Sequence, residues 1–211
     1  MHDVDRFDRW APTYDRHFLQ RVVFEPVQRT VLDLAATEVP APGAILDVGC
    51  GTGRLLQSAE KRFPGATLEG VDAAVAMVQH AQAVLPAGSR IRFQHATAEK
   101  LPYDSGQFDL VFSTMTFHHW ADQARGVAEV GRVLKPDGRW LLADFVAVRL
   151  MRYVRRLLRL KQFPERGELD ALLAALGMHV VAERRVPGLR GQVPVLAIRT
   201  VKGGDRGWAG G

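Results

Sequence analysis

A doubly wound α/β fold around a parallel sheet is what the sequence predicts, on three observations. The stretch Ala44-Ile45-Leu46-Asp47-Val48-Gly49-Cys50-Gly51-Thr52-Gly53-Arg54 passes from a short apolar run through a glycine-rich turn into a helical pattern. Glycines let the backbone turn sharply and come close to a ligand, because no Cβ stands in the way, and the helix start adds N–H groups without intrahelical partners. Asp72 then closes a second apolar strand about twenty residues on, where doubly wound folds place an acid against the hydroxyls of a nucleoside. Residues 110–113 form a continuous apolar strand, as expected for a parallel sheet buried on both faces.

The spacing of the glycines bears on which ligand the loop would hold. A dinucleotide loop reads G-x-G-x-x-G, whereas here the third glycine comes two positions after the second and Arg54 occupies the dinucleotide position. Asp47 at the strand end would repel a pyrophosphate and suits a cationic or amine-bearing ligand. An ordinary strand-turn-helix corner is the plain alternative for this stretch taken alone. The stretch resembles motif I of the class I S-adenosylmethionine-dependent methyltransferases: an apolar strand, Asp or Glu, then G-x-G-x-G. Asp72 supports an adenosine in either ligand, so only the loop spacing separates the two.

Composition bounds the reading. The chain has 211 residues, enough for one sizeable domain. No apolar run reaches the length of a bilayer span. Residues 1–9 are charged and lack the apolar stretch of a secretory signal, so the cytoplasm is the expected address. One cysteine, Cys50, excludes an internal disulfide and a multi-cysteine metal site, and no metal is expected. The formal net charge of +5 is modest and does not itself imply nucleic acid.

Taken in order, residues 7–15 mix aromatics and charges, and 16–36 read as helical with a break near Pro26, which lacks a donor N–H. After the loop, the pattern predicts a helix over 55–63, a strand over 67–71 ending at Asp72, a helix over 74–84 and a short strand over 91–94. The strand over 110–113 runs into Thr114-Met115-Thr116-Phe117-His118-His119-Trp120. Ligands bind beyond the carboxyl ends of such strands, so this segment should line the pocket. A helix over 123–134, a turn at Lys135-Pro136-Asp137-Gly138-Arg139 and a strand over 140–145 follow. Residues 149–161 place Leu150, Val154, Leu157 and Leu158 on one face and Arg149, Arg152, Arg156 and Arg159 on another. That face is open to three readings: a solvated surface over buried leucines, a membrane-surface or acidic-substrate contact, or a phosphate contact. A helix over 164–176 stopped by Gly177, strands over 178–184 and 192–201, and a glycine-rich end at 202–211 complete the chain.

The resemblance extends over residues 7–201, through Leu101-Pro102, Phe108-Asp109 and Leu134-Lys135-Pro136 in the family's order. It implies a Rossmann-like seven-stranded sheet, order 3-2-1-4-5-7-6 with the last strand antiparallel. It also implies a helical cover at 1–42, a methyltransferase domain at 43–201 with the basic helix 149–161 as an insert, and a tail. S-adenosylmethionine is the implied cofactor. Asp47, Gly49, Cys50, Gly51 and Gly53 would hold its methionine end, Asp72 with Ala73 the ribose, and Met77, Thr97, Ala98 and Glu99 the adenine; Thr114 would meet the methionine moiety. The family's usual Asp at position 97 is Thr here, a neutral and shorter acceptor. Tyr14, from an entry segment that in relatives folds over the cofactor, is a candidate active-site residue; a surface helix is the other reading.

His118 and His119 are the histidines at the pocket mouth and the candidates for a general base, with a helix-capping role for at least one as the alternative. The resemblance implies methyl transfer to a small molecule: a quinone or lipid precursor, a natural product or a metabolite. Amino methylation of nucleic acids lacks its Asn/Asp-Pro-Pro-Tyr/Phe signature, since the stretch reads Ser113-Thr114-Met115-Thr116. A binder of the cofactor without activity, or an RNA enzyme using the basic face, are the competing functions; transient membrane contact through 149–161 is one of the three readings of that segment.

Overall fold

A computed structural model describes residues 24–144, 165–186 and 193–200. Tyr14, the basic segment 149–161 and the tail 202–211 lie outside the described residues. In chain order the elements are α1 (Glu25–Glu38), β1 (Ala44–Val48), α2 (Arg54–Arg62), β2 (Thr67–Asp72), α3 (Val75–Ala83), β3 (Ile91–His95), β4 (Phe108–Thr114), α4 (Gln123–Val133), β5 (Leu134–Ala143), α5 (Arg166–Ala175), β6 (Met178–Arg185) and β7 (Pro194–Thr200). The strands form one sheet in the order β3-β2-β1-β4-β5-β7-β6. β1 to β5 are parallel, and β7 runs antiparallel to both β5 and β6. The expected α/β class and strand order are what the structure has.

Both faces of the sheet are covered, which is why its central strands are apolar throughout. Strand alternation divides each between two cores. Ile45, Leu68, Leu110 and Phe112 pack with Val27 and Val31 of α1, Leu55 and Leu56 of α2, and Val78 and Ala81 of α3. Leu46, Val48, Val111 and Trp140 pack on the other side with Val127 and Val130 of α4 and Leu169 and Leu173 of α5. Asp47 therefore shares the face of Ile45, beneath the glycine loop.

α1 begins at Glu25 with Pro26 in its first turn, where a missing N–H costs nothing; residues 16–23, the other part of the expected helical stretch, lie outside the described residues. One local expectation is corrected. The turn at 135–139 does not precede the fifth strand but interrupts it. Phe108 pairs with Leu134 and Leu110 with Arg139, so the residues between bulge out of β5. Gly138 allows this, since a Cβ there would come within 3.1 Å of the carbonyl oxygens of Phe108 and Asp109.

The bulge places Lys135 against Asp109, and Asp109 ties the start of β1 to it. Its Oδ2 accepts the N–H groups of Gly43 and Ala44 at 2.9 Å, and Lys135 Nζ donates to both carboxylate oxygens at 2.9 Å. Partial burial disfavours the charge, but the Lys135 hydrogen bond and the two amides outweigh it and hold the carboxyl below its ordinary value. A carboxyl depressed in the folded state stabilises above its unfolded value and loses that contribution as pH falls through the lowered one. Asp109→Asn should therefore cost about 2 kcal/mol at pH 7 in urea unfolding. The difference from wild type should shrink below pH 3; an equal difference at both pH values would contradict this account.

Candidate functional site

The order reverses between β1 and β4, and the loops that leave the carboxyl ends of β1 to β4 meet there. Such a switch point is where doubly wound sheets open a crevice. The glycine loop forms its floor. Gly49, Gly51 and Gly53 all have positive φ, at 79°, 52° and 79°, but for different surroundings. A Cβ on Gly49 would lie 2.1 Å from Thr116 Oγ1, and one on Gly53 would lie 2.4 Å from the Phe93 ring. A Cβ on Gly51 would meet nothing within 4 Å. Gly49 and Gly53 are thus small because protein packs on them, and Gly51 is open on the cavity side.

Asp72 holds this loop in place. Its Oδ2 accepts the Gly51 N–H at 2.8 Å and its Oδ1 the Ala74 N–H at 2.9 Å. The Gly49 and Cys50 N–H groups both donate to the Val71 carbonyl, at 2.8 and 3.0 Å. Asp72 thus clamps the loop with one carboxylate oxygen and the start of α3 with the other.

Asp47 is 1% exposed, and its Oδ1 has no hydrogen-bond partner among the described residues. Burial, and then the charge of Asp72, push its carboxyl up to about 8. The same burial, with Asp72 and Asp47, pushes the Cys50 thiol well up. Cys50 is therefore an inert small residue of the loop rather than a nucleophile.

A cavity of about 490 Å³ lies over the loop, within the range of small-molecule pockets. Of the residues expected at the site, Gly49, Cys50, Gly51, Asp72, Ala73, Met77, Thr97, Ala98, Glu99, Thr114 and His119 line it. Asp47, Gly53 and His118 do not; they stand behind its wall. Glu99 also accepts the Asp122 N–H at 3.1 Å. The sequence reading missed Phe24 and Gln28, one helical turn apart at the start of α1, and Thr52 and Arg54 where the loop enters α2. Met115, in the segment expected to line the pocket, does so, and it is a non-glycine residue with φ of 56°, an uncommon conformation that recurs at functional sites.

The two histidines part company. His118 donates its backbone N–H to Asp144 Oδ2 at 3.1 Å, and its Nδ1 lies 2.7 Å from Asp144 Oδ1. His119 lines the cavity. Neither caps α4: Asp122 does, accepting the Arg125 N–H at 3.0 Å. Trp120 is also on the wall; it stacks at 6.0 Å on the buried Trp140 and covers Gly126.

Comparison with known proteins gives this geometry a family. Residues 46–142 match a model described as a methyltransferase domain. The ubiquinone/menaquinone biosynthesis C-methyltransferase UbiE of Geotalea daltonii is 32% identical over 179 residues, 81% of this chain and 75% of that protein. The chain belongs to the class I S-adenosylmethionine-dependent methyltransferases. The demethylmenaquinone methyltransferase of Thermus thermophilus is 36% identical over 144 residues, 66% of this chain and 64% of its relative. The chain spans between 51% and 64% of the length of three curated relatives. Among solved structures, the Burkholderia thailandensis 1,6-didemethyltoxoflavin-N1-methyltransferase shares the fold. The two superpose with a TM-score of 0.69 at 20% identity, covering 95% of this chain and 89% of that one; the neighbour holds 1,6-didemethyltoxoflavin and S-adenosylhomocysteine.

S-adenosylmethionine is the cofactor of this methyltransferase family, and the site's chemistry fits it. Gly51 leaves an open cradle beside Asp72, and the buried Asp47 carboxyl, protonated below about pH 8 in the unloaded protein, would ionise against a cationic group held over the loop. Two outcomes follow from the geometry. Gly51→Ala should cost about 1 kcal/mol in unfolding free energy, from the left-handed backbone alone. Gly49→Ala should cost more, and Thr116→Gly in the same chain should restore part of that loss; equal losses for the two glycines would contradict the packing argument.

Asp47 gives a pH signature. Its folded value of about 8 exceeds the ordinary 3.8, so the native state holds a proton that the unfolded chain releases between those values. Stability falls as pH rises through that window. In the unloaded protein, Asp47→Asn should gain about 4 kcal/mol relative to wild type between pH 5 and pH 9, read from urea midpoints. A constant difference across that window would contradict the burial argument.

Proposed function

We propose that the protein transfers a methyl group from S-adenosylmethionine to a small-molecule acceptor. The observation that carries this reading is the cavity at the β1/β4 switch point, floored by the open face of Gly51 and the clamped Asp72. When bound, the cofactor supplies a methyl carbon already activated by its positively charged sulfur. The chain's part is to hold, align and dry the reactants. Asp72 accepts the ribose hydroxyls, with Ala73 beside it. Met77, Thr97, Ala98 and Glu99 frame the adenine. Gly49, Cys50, Gly51 and Thr114 receive the methionine end, with Asp47 acting from beneath and Gly53 keeping the loop's shape. His119 serves the acceptor from the cavity wall with His118 behind it, and Tyr14 stands as a further candidate.

The acceptor classes that fit are a quinone or lipid precursor, a natural product or a metabolite, in keeping with relatives named for demethylmenaquinone and for ubiquinone/menaquinone biosynthesis. Among the described residues no helix is long and apolar enough to cross a membrane. We place the reaction in the cytoplasm, with 149–161 as the segment suited to transient contact with an anionic surface.

Calorimetry should show binding of S-adenosylmethionine and none of NAD. Asp72→Ala should weaken the former by about 1.5–3 kcal/mol through loss of charge-assisted hydrogen bonds. Full affinity in that variant would remove the ribose assignment. Release of S-adenosylhomocysteine with quinols, phospholipids or amines separates an enzyme from a binder.

A further inference from the structure

β4 and β5 end side by side, and three side chains there connect the protein interior to the cavity. Asp144 follows β5 directly and is 5% exposed. It accepts both the backbone N–H of His118 and, at 2.7 Å, a contact from His118 Nδ1. An ionised carboxylate can only accept, so Nδ1 carries the proton and the ring's lone pair sits on Nε2. The His118 side chain is 10% exposed. Its ring centroid lies 3.9 Å from that of His119, the planes tilted by 46°. His119 is the member of the set that lines the cavity. The segment is pinned at its start as well, where the Met115 N–H donates to the Ala143 carbonyl at 2.7 Å.

We propose that Asp144 and His118 are positioning residues for His119, and that His119 takes a proton from a hydroxyl of the methyl acceptor, the oxygen of which then takes the methyl group. The proposal rests on the methyltransferase reading and deepens it by naming the acceptor class. A neutral amine already carries a free electron pair and needs only alignment. A phenol or quinol hydroxyl becomes a strong nucleophile on losing its proton, and an imidazole at the cavity wall suits that step. The acceptor's O–H bond breaks and its proton passes to a ring nitrogen of His119. The oxygen's electron pair forms the new bond to the methyl carbon. The carbon–sulfur bond breaks with its pair left on sulfur, giving S-adenosylhomocysteine, and the imidazolium later returns its proton to water. The positive charge formed on His119 lies over the His118 ring, with the buried Asp144 carboxylate behind it, where Coulomb attraction is strong.

The test reads the histidines directly. Long-range 1H–15N spectra of the full chain loaded with S-adenosylhomocysteine should show His118 as the Nδ1–H tautomer. Asp144→Asn keeps the shape and removes the charge; it should mix the His118 tautomers and displace the His119 ring resonances. Affinity for S-adenosylhomocysteine should stay within about twofold. An Nε2–H tautomer in the wild type, or His119 resonances indifferent to Asp144→Asn, overturns the arrangement. Hydroquinone and p-phenylenediamine serve as matched hydroxyl and amine probes. Turnover is expected with hydroquinone alone, falling ~100-fold in His119→Ala. In Asp144→Asn the loss should be in kcat, about 10-fold, with KM unchanged. Methylation of the diamine, or a loss confined to His118→Ala, overturns the assignment. Absence of S-adenosylhomocysteine binding is a separate result, and it overturns the methyltransferase reading itself.

Discussion

The site depends on one carboxylate that joins two strand ends. Asp72 closes β2 and reaches across to the Gly51 N–H of the loop that leaves β1, while its other oxygen takes the Ala74 N–H. Those bonds set a loop whose three glycines all lie at positive φ, a shape the backbone would not keep unaided. They also bring a charge close to Asp47, and burial next to that charge is why the Asp47 carboxyl rises to about 8. The site thus stacks two carboxyl groups, one of them protonated at neutral pH, under a surface that is open at Gly51. A buried carboxyl whose Oδ1 has no hydrogen-bond partner among the described residues costs the unloaded protein stability.

The glycine loop and the segment that leaves β4 are mechanically one piece. Thr116 packs over Gly49, so the glycine loop and the β4 exit fit only together. The left-handed turn at Met115 and its bond to Ala143 set the direction in which the chain leaves β4. Two residues past Thr116, His118 is held by Asp144 from the end of β5.

Much of this was legible in the sequence because it is local. The apolar run into Gly49-Cys50-Gly51-Thr52-Gly53 marks a strand, a turn and a helix start within a dozen residues, and Asp72 is placed by the length of one βα unit. The sheet order followed from the family resemblance, not from periodicity. What was not legible depends on partners distant in the chain. The β5 bulge exists because residues 135–138 meet Asp109, which a turn signal alone does not reveal. Asp144 looked like a strand end until the fold set it beside His118, and Phe24 and Gln28 carry no motif. The demotion of His118 from the wall to a place behind it required the tertiary position of β5.

The central claim is that the cavity above the Asp72-clamped glycine loop seats the adenosyl cofactor. Amide 1H–15N spectra recorded during titration with S-adenosylhomocysteine test it most directly. The account expects saturable shifts that are largest at Gly49 to Thr52, at Asp72 to Ala74 and at Thr97 to Glu99, the three backbone segments that surround the cavity floor. Shifts centred on any other part of the sheet, or a spectrum unchanged at saturating ligand, would contradict it.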